Sequence, residues 1–138
     1  MDLPEIQKTI QKMMKGTMGE ALGMEVVDYQ PGRVVATMPV DHRTHQPLGL
    51  LHGGASVALA ETVASLGGML LVMAEGKAVV GQEINANHLR SVTSGLVRAE
   101  GNVVYQGKRS QVWEIKIFDE KNQLICISRC TLAVIEPR

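Results

Sequence analysis

Apolar and polar positions along the chain follow a helical period in two places. In the first, apolar residues recur every three or four positions: Leu3, Ile6, Ile10, Met13 and Met14. With Pro4 in the first turn and Gly16 as a stop, this spacing predicts a short amphipathic helix over 3–15. The second stretch, about 51–74, has no proline and is almost entirely small or apolar. It predicts a helix that is buried on most sides.

The remaining apolar stretches have the composition of strands. β-Branched residues, bounded by turn residues, predict six of them, over 24–29, 33–40, 78–89, 95–105, 111–118 and 124–135. In the fifth, Trp113, Ile115 and Ile117 alternate with Glu114 and Lys116, which is typical of an antiparallel strand wetted on one face. One long apolar helix beside five or six antiparallel strands can bury itself by lying across the concave face of a curved sheet. We therefore predict an α+β fold.

Composition narrows the class of protein. The 138 residues are 45% hydrophobic, which fits one domain over 1–138. Lys plus Arg and Asp plus Glu each number 14, so no long-range field favours nucleic acid or an anionic membrane. The N-terminus lacks the pattern of a signal peptide, and the apolar stretch at 51–74 contains His52 and Glu61, so we predict a cytoplasmic protein with no membrane span.

Cys126 and Cys130 lie four residues apart in the last predicted strand. That separation corresponds to about 13 Å along a strand, which is too far for a disulfide. We expect both cysteines to be buried and reduced. No His-x-His, Cys-x-x-Cys or Glu-x-x-His pattern is present, so we predict no metal site.

Glu61 is the residue most indicative of chemistry. Nearly all its neighbours in the predicted central helix are apolar, and an ionised carboxylate there is costly unless it has a partner or reaches a cleft. Such a carboxylate can serve as a general base or as a nucleophile. A structural glutamate that reaches the helix surface is the alternative. Ser65 lies four residues on, on the same face, where it can bond a water or that carboxylate, or bond back to its own helix.

The helix begins near His52-Gly53-Gly54. The first turn of a helix has unpaired N–H groups, and a glycine lets a carbonyl oxygen approach them closely. Gly53 N–H is therefore a candidate oxyanion-hole donor. The alternative is that paired glycines merely allow a tight turn from loop into helix.

Two basic clusters could bind phosphate groups. Arg90 and Ser91 follow the third predicted strand, while Lys108 and Arg109 lie in a later turn. A solvated basic turn is the other reading of either cluster. The chain has no Gly-x-Gly-x-x-Gly motif, P-loop or Gly-x-Ser-x-Gly elbow, which leaves Rossmann, NTPase and serine-triad functions without support.

The run HQPLGLLHGGASVALAE over residues 45–61 closely resembles the hotdog-fold thioesterases, in the branch of the phenylacetic-acid-pathway and 4-hydroxybenzoyl-CoA thioesterases. The segments GQEINANH over 81–88 and QVWEI over 111–115 are similar to the same family. The resemblance implies a long helix wrapped by a curved antiparallel sheet. It also implies a homodimer with active sites between subunits, and commonly a homotetramer.

The resemblance also implies roles for individual residues. Glu61 would be the catalytic carboxylate and Gly53 N–H the group that polarises the thioester carbonyl, with Gln46 and His52 beside it and Ser65 assisting. The candidates for binding coenzyme A and the substrate are His88, Arg90, Ser91, Lys108 and Arg109. Coenzyme A would be part of the substrate, and no further cofactor is implied.

Relatives in this branch handle hydroxylated aromatic acyl groups, so the resemblance favours a hydroxybenzoyl, gentisyl or dihydroxynaphthoyl thioester of coenzyme A. A medium-chain acyl-CoA or an acyl carrier protein remains an alternative substrate. A non-catalytic acyl-CoA binder is a second class of function, and a dehydratase on the same fold is a third. The presence of both Glu61 and Gly53 favours the hydrolase.

Overall fold

The computed structural model describes residues 1–137. Two helices come first, α1 (Leu3–Met14) and the four-residue α2 (Met18–Ala21). The hairpin of β1 (Glu25–Gln30) and β2 (Arg33–Pro39) precedes the long helix α3 (Gly53–Val72), which ends in a 3₁₀ turn at Met73–Glu75. Four strands complete the chain: β3 (Ala78–His88), β4 (Leu96–Gln106), β5 (Ser110–Phe118) and β6 (Leu124–Ile135).

The six strands form one antiparallel sheet in the order β1-β2-β4-β5-β6-β3. Helix α3 packs against five of them, from β2 to β3, and lies across the sheet. This is the hotdog arrangement that the sequence predicts. Strands β1 and β3 are the two edges, so in the part of the chain that the structure describes one side of the eleven-residue β3 has no strand beside it.

Small residues let α3 approach the sheet closely. A side chain at Gly67 would collide with the ring of Trp113, and one at Gly68 with Leu132 and Gln111. The buried Gln111 connects the two layers, because its Nε2 donates to the Gly68 carbonyl at 3.3 Å and its Oε1 accepts from Trp113 Nε1 at 2.8 Å. The rotation of α3 is thereby fixed, and with it the direction in which Glu61 points.

Helix α1 is fixed at its N-terminus by a capping box between Asp2 and Glu5. It buries Ile6 and Ile10, and Gln7 Nε2 donates to the Val26 carbonyl at 2.8 Å, which holds the helix to β1. The short helix α2 was not expected from the sequence, because four residues are too few to display a period.

The central helix is slightly shorter than the sequence predicts. It begins at Gly53 rather than near residue 51, because the His52 side chain accepts from Gly54 N–H and acts as the N-cap. It tightens into the 3₁₀ turn after Val72. By length and hydropathy Gly53–Glu75 could cross a bilayer, but here the helix buries Leu59, Val63 and their neighbours against the sheet, as a core helix does. Cys126 and Cys130 are buried and free, as predicted.

Candidate active site

The loop between β2 and α3 is held in place by hydrogen bonds to its surroundings. His52 N–H donates to the Thr44 carbonyl and Leu51 N–H to the Val92 carbonyl, both at 2.8 Å. His45 Nε2 lies 2.9 Å from the Thr93 carbonyl, which can only accept, so this nitrogen carries a proton. The loop therefore reaches α3 in a defined conformation.

Gln46 is oriented by its own loop. Its side-chain oxygen accepts from Leu48 N–H at 2.5 Å and from Leu50 N–H at 3.4 Å. Since both contacts use the oxygen, the amide nitrogen keeps its two N–H groups as donors. Gln46 can therefore donate a hydrogen bond to a ligand without releasing the loop.

Gly53 is the first residue of α3, and its N–H donates to no acceptor within residues 1–137. The neighbouring Gly54 N–H is occupied by His52 Nδ1 at 2.7 Å. The ring of His88 lies against Gly53, so that a Cβ at position 53 would fall 2.9 Å from Nε2. A free helix N-terminal donor thus faces a space bounded by an imidazole ring.

These groups line one cleft of about 280 Å³. Five of the predicted site residues meet there: Gln46, Gly53, His88, Arg90 and Ser91. The rest of the lining is Leu50, Leu51, Ser56 and Ile125. A cleft with an apolar wall, a few convergent donors and a cationic rim suits a carbonyl compound that carries an anionic tail.

Glu61 does not line this cleft. Its half-buried carboxylate lies against Gly81 in β3, and Ser65 is on the next turn of α3. The eight-residue step from Gly53 to Glu61 corresponds to about 12 Å along the helix axis. The strand residues opposite them, His88 and Gly81, lie on the order of 20 Å apart along β3. One chain therefore holds the two halves of the predicted site apart.

The negative charge of Glu61 acts on a buried thiol of the core. Burial, followed by the negative charges of Glu61 and Glu83, raises the pKa of the Cys130 thiol to about 12. Burial also raises the pKa of Cys126. Neither thiol is a nucleophile at neutral pH, because the reactive species is the thiolate. This agrees with the absence of a cysteine-triad pattern in the sequence.

Lys108 and Arg109 lie away from the other predicted phosphate ligands. They occupy the turn between β4 and β5, where the Arg109 carbonyl accepts from Val134 N–H at 2.9 Å. Val134 pairs with Val79 at the start of β3, whereas Arg90 follows the end of β3. In a single chain the two basic clusters therefore lie at opposite ends of the strand.

Sequence reasoning gave no role to several residues that shape this region. His45 ties the loop to Thr93, Leu50 and Ile125 wall the cleft, and Gly81 accommodates the Glu61 carboxylate. The available signal was Gly81 itself, since a glycine inside a strand pattern indicates a bulge or the close approach of another group. In residues 1–137 no three His, Cys, Asp or Glu side chains come together in a metal-binding group.

The chain is similar to known proteins over most of its length. The sequence profile of the Thioesterase superfamily matches residues 48–126. The chain is 58% identical over 100 residues to 1,4-dihydroxy-2-naphthoyl-CoA hydrolase of Escherichia coli, covering 72% of this chain and 73% of the relative. It is 50% identical over 121 residues to the proofreading thioesterase EntH of Klebsiella pneumoniae, covering 88% of each.

Solved structures give the same result. A thioesterase of Staphylococcus aureus superposes with a TM-score of 0.83 at 41% identity, covering 86% of this chain and 98% of that one. That structure carries a glutamine-to-alanine substitution, and a second structure of the same protein carries glutamate-to-alanine. Because the family profile spans more than half of the chain and relatives are well above 30% identical, this protein belongs to the thioesterase superfamily and is a hotdog-fold thioester hydrolase.

Proposed function

We propose that the protein hydrolyses a hydroxylated aromatic acyl thioester of coenzyme A, at a site that two copies of the chain build together. The observation that carries the proposal is the separation of Gly53 and Glu61. The free N–H faces the cleft beside His88, whereas the carboxylate lies near the other end of β3. A carbonyl must contact both groups at once, since a reacting atom has to lie about 3 Å from each.

The free edge of β3 offers a way to bring the two groups together. The strand is eleven residues long, and about every other residue turns its backbone N–H and C=O to the side that has no strand beside it within residues 1–137. Val80 is 47% exposed. Such an edge is a template for pairing with another strand. Antiparallel pairing about a two-fold axis would place the Glu61 end of one chain beside the Gly53 end of the other. The dimer therefore gives each carboxylate an oxyanion-hole donor.

The substituted S. aureus structures support the assignment of Gln46 and Glu61. The glutamine and the glutamate changed there are fifteen residues apart, which is the separation between Gln46 and Glu61. With 41% identity between the chains, this spacing aligns the two pairs. The residue types altered in that thioesterase, one glutamine and one glutamate, are those that the proposal places at the site here.

The chemistry follows from these positions. The thioester oxygen accepts from Gly53 N–H, with Gln46 Nε2 as a second donor, and both stabilise the negative charge that develops on it. Glu61 either takes a proton from a water that attacks the carbonyl carbon, or attacks that carbon itself to form a mixed anhydride that water opens. In both routes the C–S bond breaks and the coenzyme A thiolate leaves. Ser65, one turn from Glu61, is placed to bond the water or the carboxylate.

Coenzyme A would be bound at the rim. Arg90 and Ser91 follow β3 and line the cleft together with His88 and the first residue of α3. Within one chain, Lys108 and Arg109 lie near the start of β3 and Arg90 lies just after its end. Antiparallel pairing of two β3 edges would therefore bring Lys108 and Arg109 of one chain toward Arg90 of the other. Four polar or cationic groups could then share the phosphates. A tetramer of two such dimers, in the cytoplasm and with no resident cofactor, completes the proposal.

The aromatic substrate class rests on the relatives. One is a 1,4-dihydroxy-2-naphthoyl-CoA hydrolase, and Leu50, Leu51 and Ile125 supply an apolar wall for a ring here. The test is release of free thiol from matched substrates: a hydroxylated aryl-CoA, the same aryl-CoA without hydroxyl groups, and a medium-chain acyl-CoA. The proposal expects kcat/KM to be highest for the hydroxylated ring. Equal or faster turnover of the aliphatic thioester would overturn the substrate class but leave the hydrolase in place.

A further inference from the structure

The Glu61 carboxylate occupies the space of a missing side chain. A Cβ built at Gly81 would collide with Glu61 Oε2, lie 3.0 Å from Cδ and lie 3.6 Å from Cγ. Gly81 does not have a positive φ, so its backbone would accept alanine without strain. The glycine is therefore explained by the carboxylate that lies against it. We call this contact the Gly81 notch.

No hydrogen bond or ion pair within residues 1–137 fixes the end of the Glu61 side chain. The adjacent Thr62 hydroxyl is committed to the Ala58 carbonyl at 2.7 Å. With no bonded partner, the direction of the carboxylate is set by the shape of the surface against which it packs.

Strand β3 is irregular at the same point. Gly81 pairs with Leu132 and Glu83 with Thr131, so Gln82 is an extra residue without a partner. Bulges of this kind bend a strand and redirect side chains, and they occur beside active sites. Because of the extra residue, Gly81 and His88 both face α3 although they are an odd number of residues apart. The notch and the ring beside Gly53 thus lie on one face of β3.

We propose that Gly81 is a positioning residue that sets the direction of the Glu61 carboxylate for catalysis; this inference rests on the proposed role of Glu61. A methyl group at position 81 would fill the notch and push the carboxylate outward by about 1 Å, the shift that restores an ordinary contact distance. Misplacing a reacting group by about 1 Å is known to cost up to 100-fold in rate. Substrate binding, which the rim and the cleft provide, would change little.

The experiment compares Gly81→Ala with wild type for kcat, KM and melting temperature. We expect kcat to fall about 10- to 100-fold, with KM within about threefold. The matched control is Gly19→Ala in α2, whose new methyl meets only the flexible end of Met14 and should leave kcat unchanged. Wild-type kcat in Gly81→Ala would overturn the proposal, and so would a loss confined to KM.

A second background separates positioning from stability. In Glu61→Asp the side chain is one methylene shorter and withdraws from the notch, so adding Gly81→Ala should cost less than threefold in residual kcat. A purely structural role would cost the same factor in both backgrounds. If Gly81→Ala destabilises the protein too much for an assay, melting temperatures are compared instead. The loss of melting temperature caused by Gly81→Ala should vanish when Glu61 is also alanine, because the clash is then gone. A loss that persists in Glu61→Ala/Gly81→Ala would overturn the proposal. Loss of activity in Glu61→Gln together with normal activity in Gly81→Ala would refute this inference alone.

Discussion

The ring of His88 lies against Gly53, with Nε2 2.9 Å from the position that a Cβ of residue 53 would occupy. This contact places an imidazole beside the one backbone donor at the start of α3 that has no acceptor in residues 1–137. Gly53 therefore meets two demands: it leaves room for the ring and it offers its N–H to the cleft. The two demands can be separated by experiment.

Gly53→Ala adds a methyl group that disturbs His88 but keeps the N–H, whereas Gly53→Pro also removes the N–H. Proline is tolerated at the first helical position, and the extended conformation of His52 (φ −67°, ψ 131°) is compatible with a following proline. We expect kcat of the proline variant to lie at least about 100-fold below that of the alanine variant. Equal rates for the two variants would remove the N–H from the mechanism.

A shared site predicts rescue between inactive subunits. In a mixed dimer of Glu61→Gln and Gly53→Pro, one site receives an intact glutamate from one chain and an intact glycine from the other. The other site receives both substitutions. Random mixing should therefore restore about a quarter of wild-type activity. The measurement is thiol release after the two variants are unfolded and refolded together, with each variant refolded alone as the control. A mixture no more active than its components would place the two residues in separate sites.

Acid should loosen the loop that carries Gln46. Hydrogen bonds from the Arg43 side chain and backbone lower the pKa of Asp41 to about 2 from its usual 3.8. A carboxyl group whose folded pKa is depressed stabilises the fold above pH 3.8, and this contribution is lost as the pH falls through about 2. Asp41→Asn keeps an acceptor for Arg43 N–H but has no charge to lose. Wild type should melt at a higher temperature than Asp41→Asn, by an amount that is constant above about pH 4 and disappears near pH 2. A difference in melting temperature that is the same at every pH would contradict the lowered pKa of Asp41.

The sheet could be predicted from the sequence because alternating apolar residues determine which face each strand buries. The six predicted strands agree with the observed ones to within one residue at each end, and Trp113, Ile115 and Ile117 do face the core. The start of α3 was harder to predict. Histidine is an unusual N-cap, and the hydrogen bond from Gly54 N–H to His52 Nδ1 depends on a side-chain conformation that the sequence does not specify.

The sequence allows individual site residues to be predicted, but it does not show which of them come together. Gln46, Gly53, His88, Arg90 and Ser91 meet in one cleft because the loop before α3 and the end of β3 lie side by side, a contact between segments far apart in sequence. The position of Glu61 against Gly81 depends on a bulge that no periodicity predicts. The roles given to these residues stay predictions until variants are assayed.

The most direct test of the account is the steady-state rate of thiol release from a hydroxylated aryl-CoA by wild type and by Glu61→Gln, with melting temperatures to establish that both are folded. Glutamine preserves the size of the side chain but can neither take a proton from water nor attack the carbonyl carbon. The account predicts a fall in kcat of at least about 100-fold at an unchanged melting temperature. A Glu61→Gln variant that hydrolyses the thioester at the wild-type rate would contradict it.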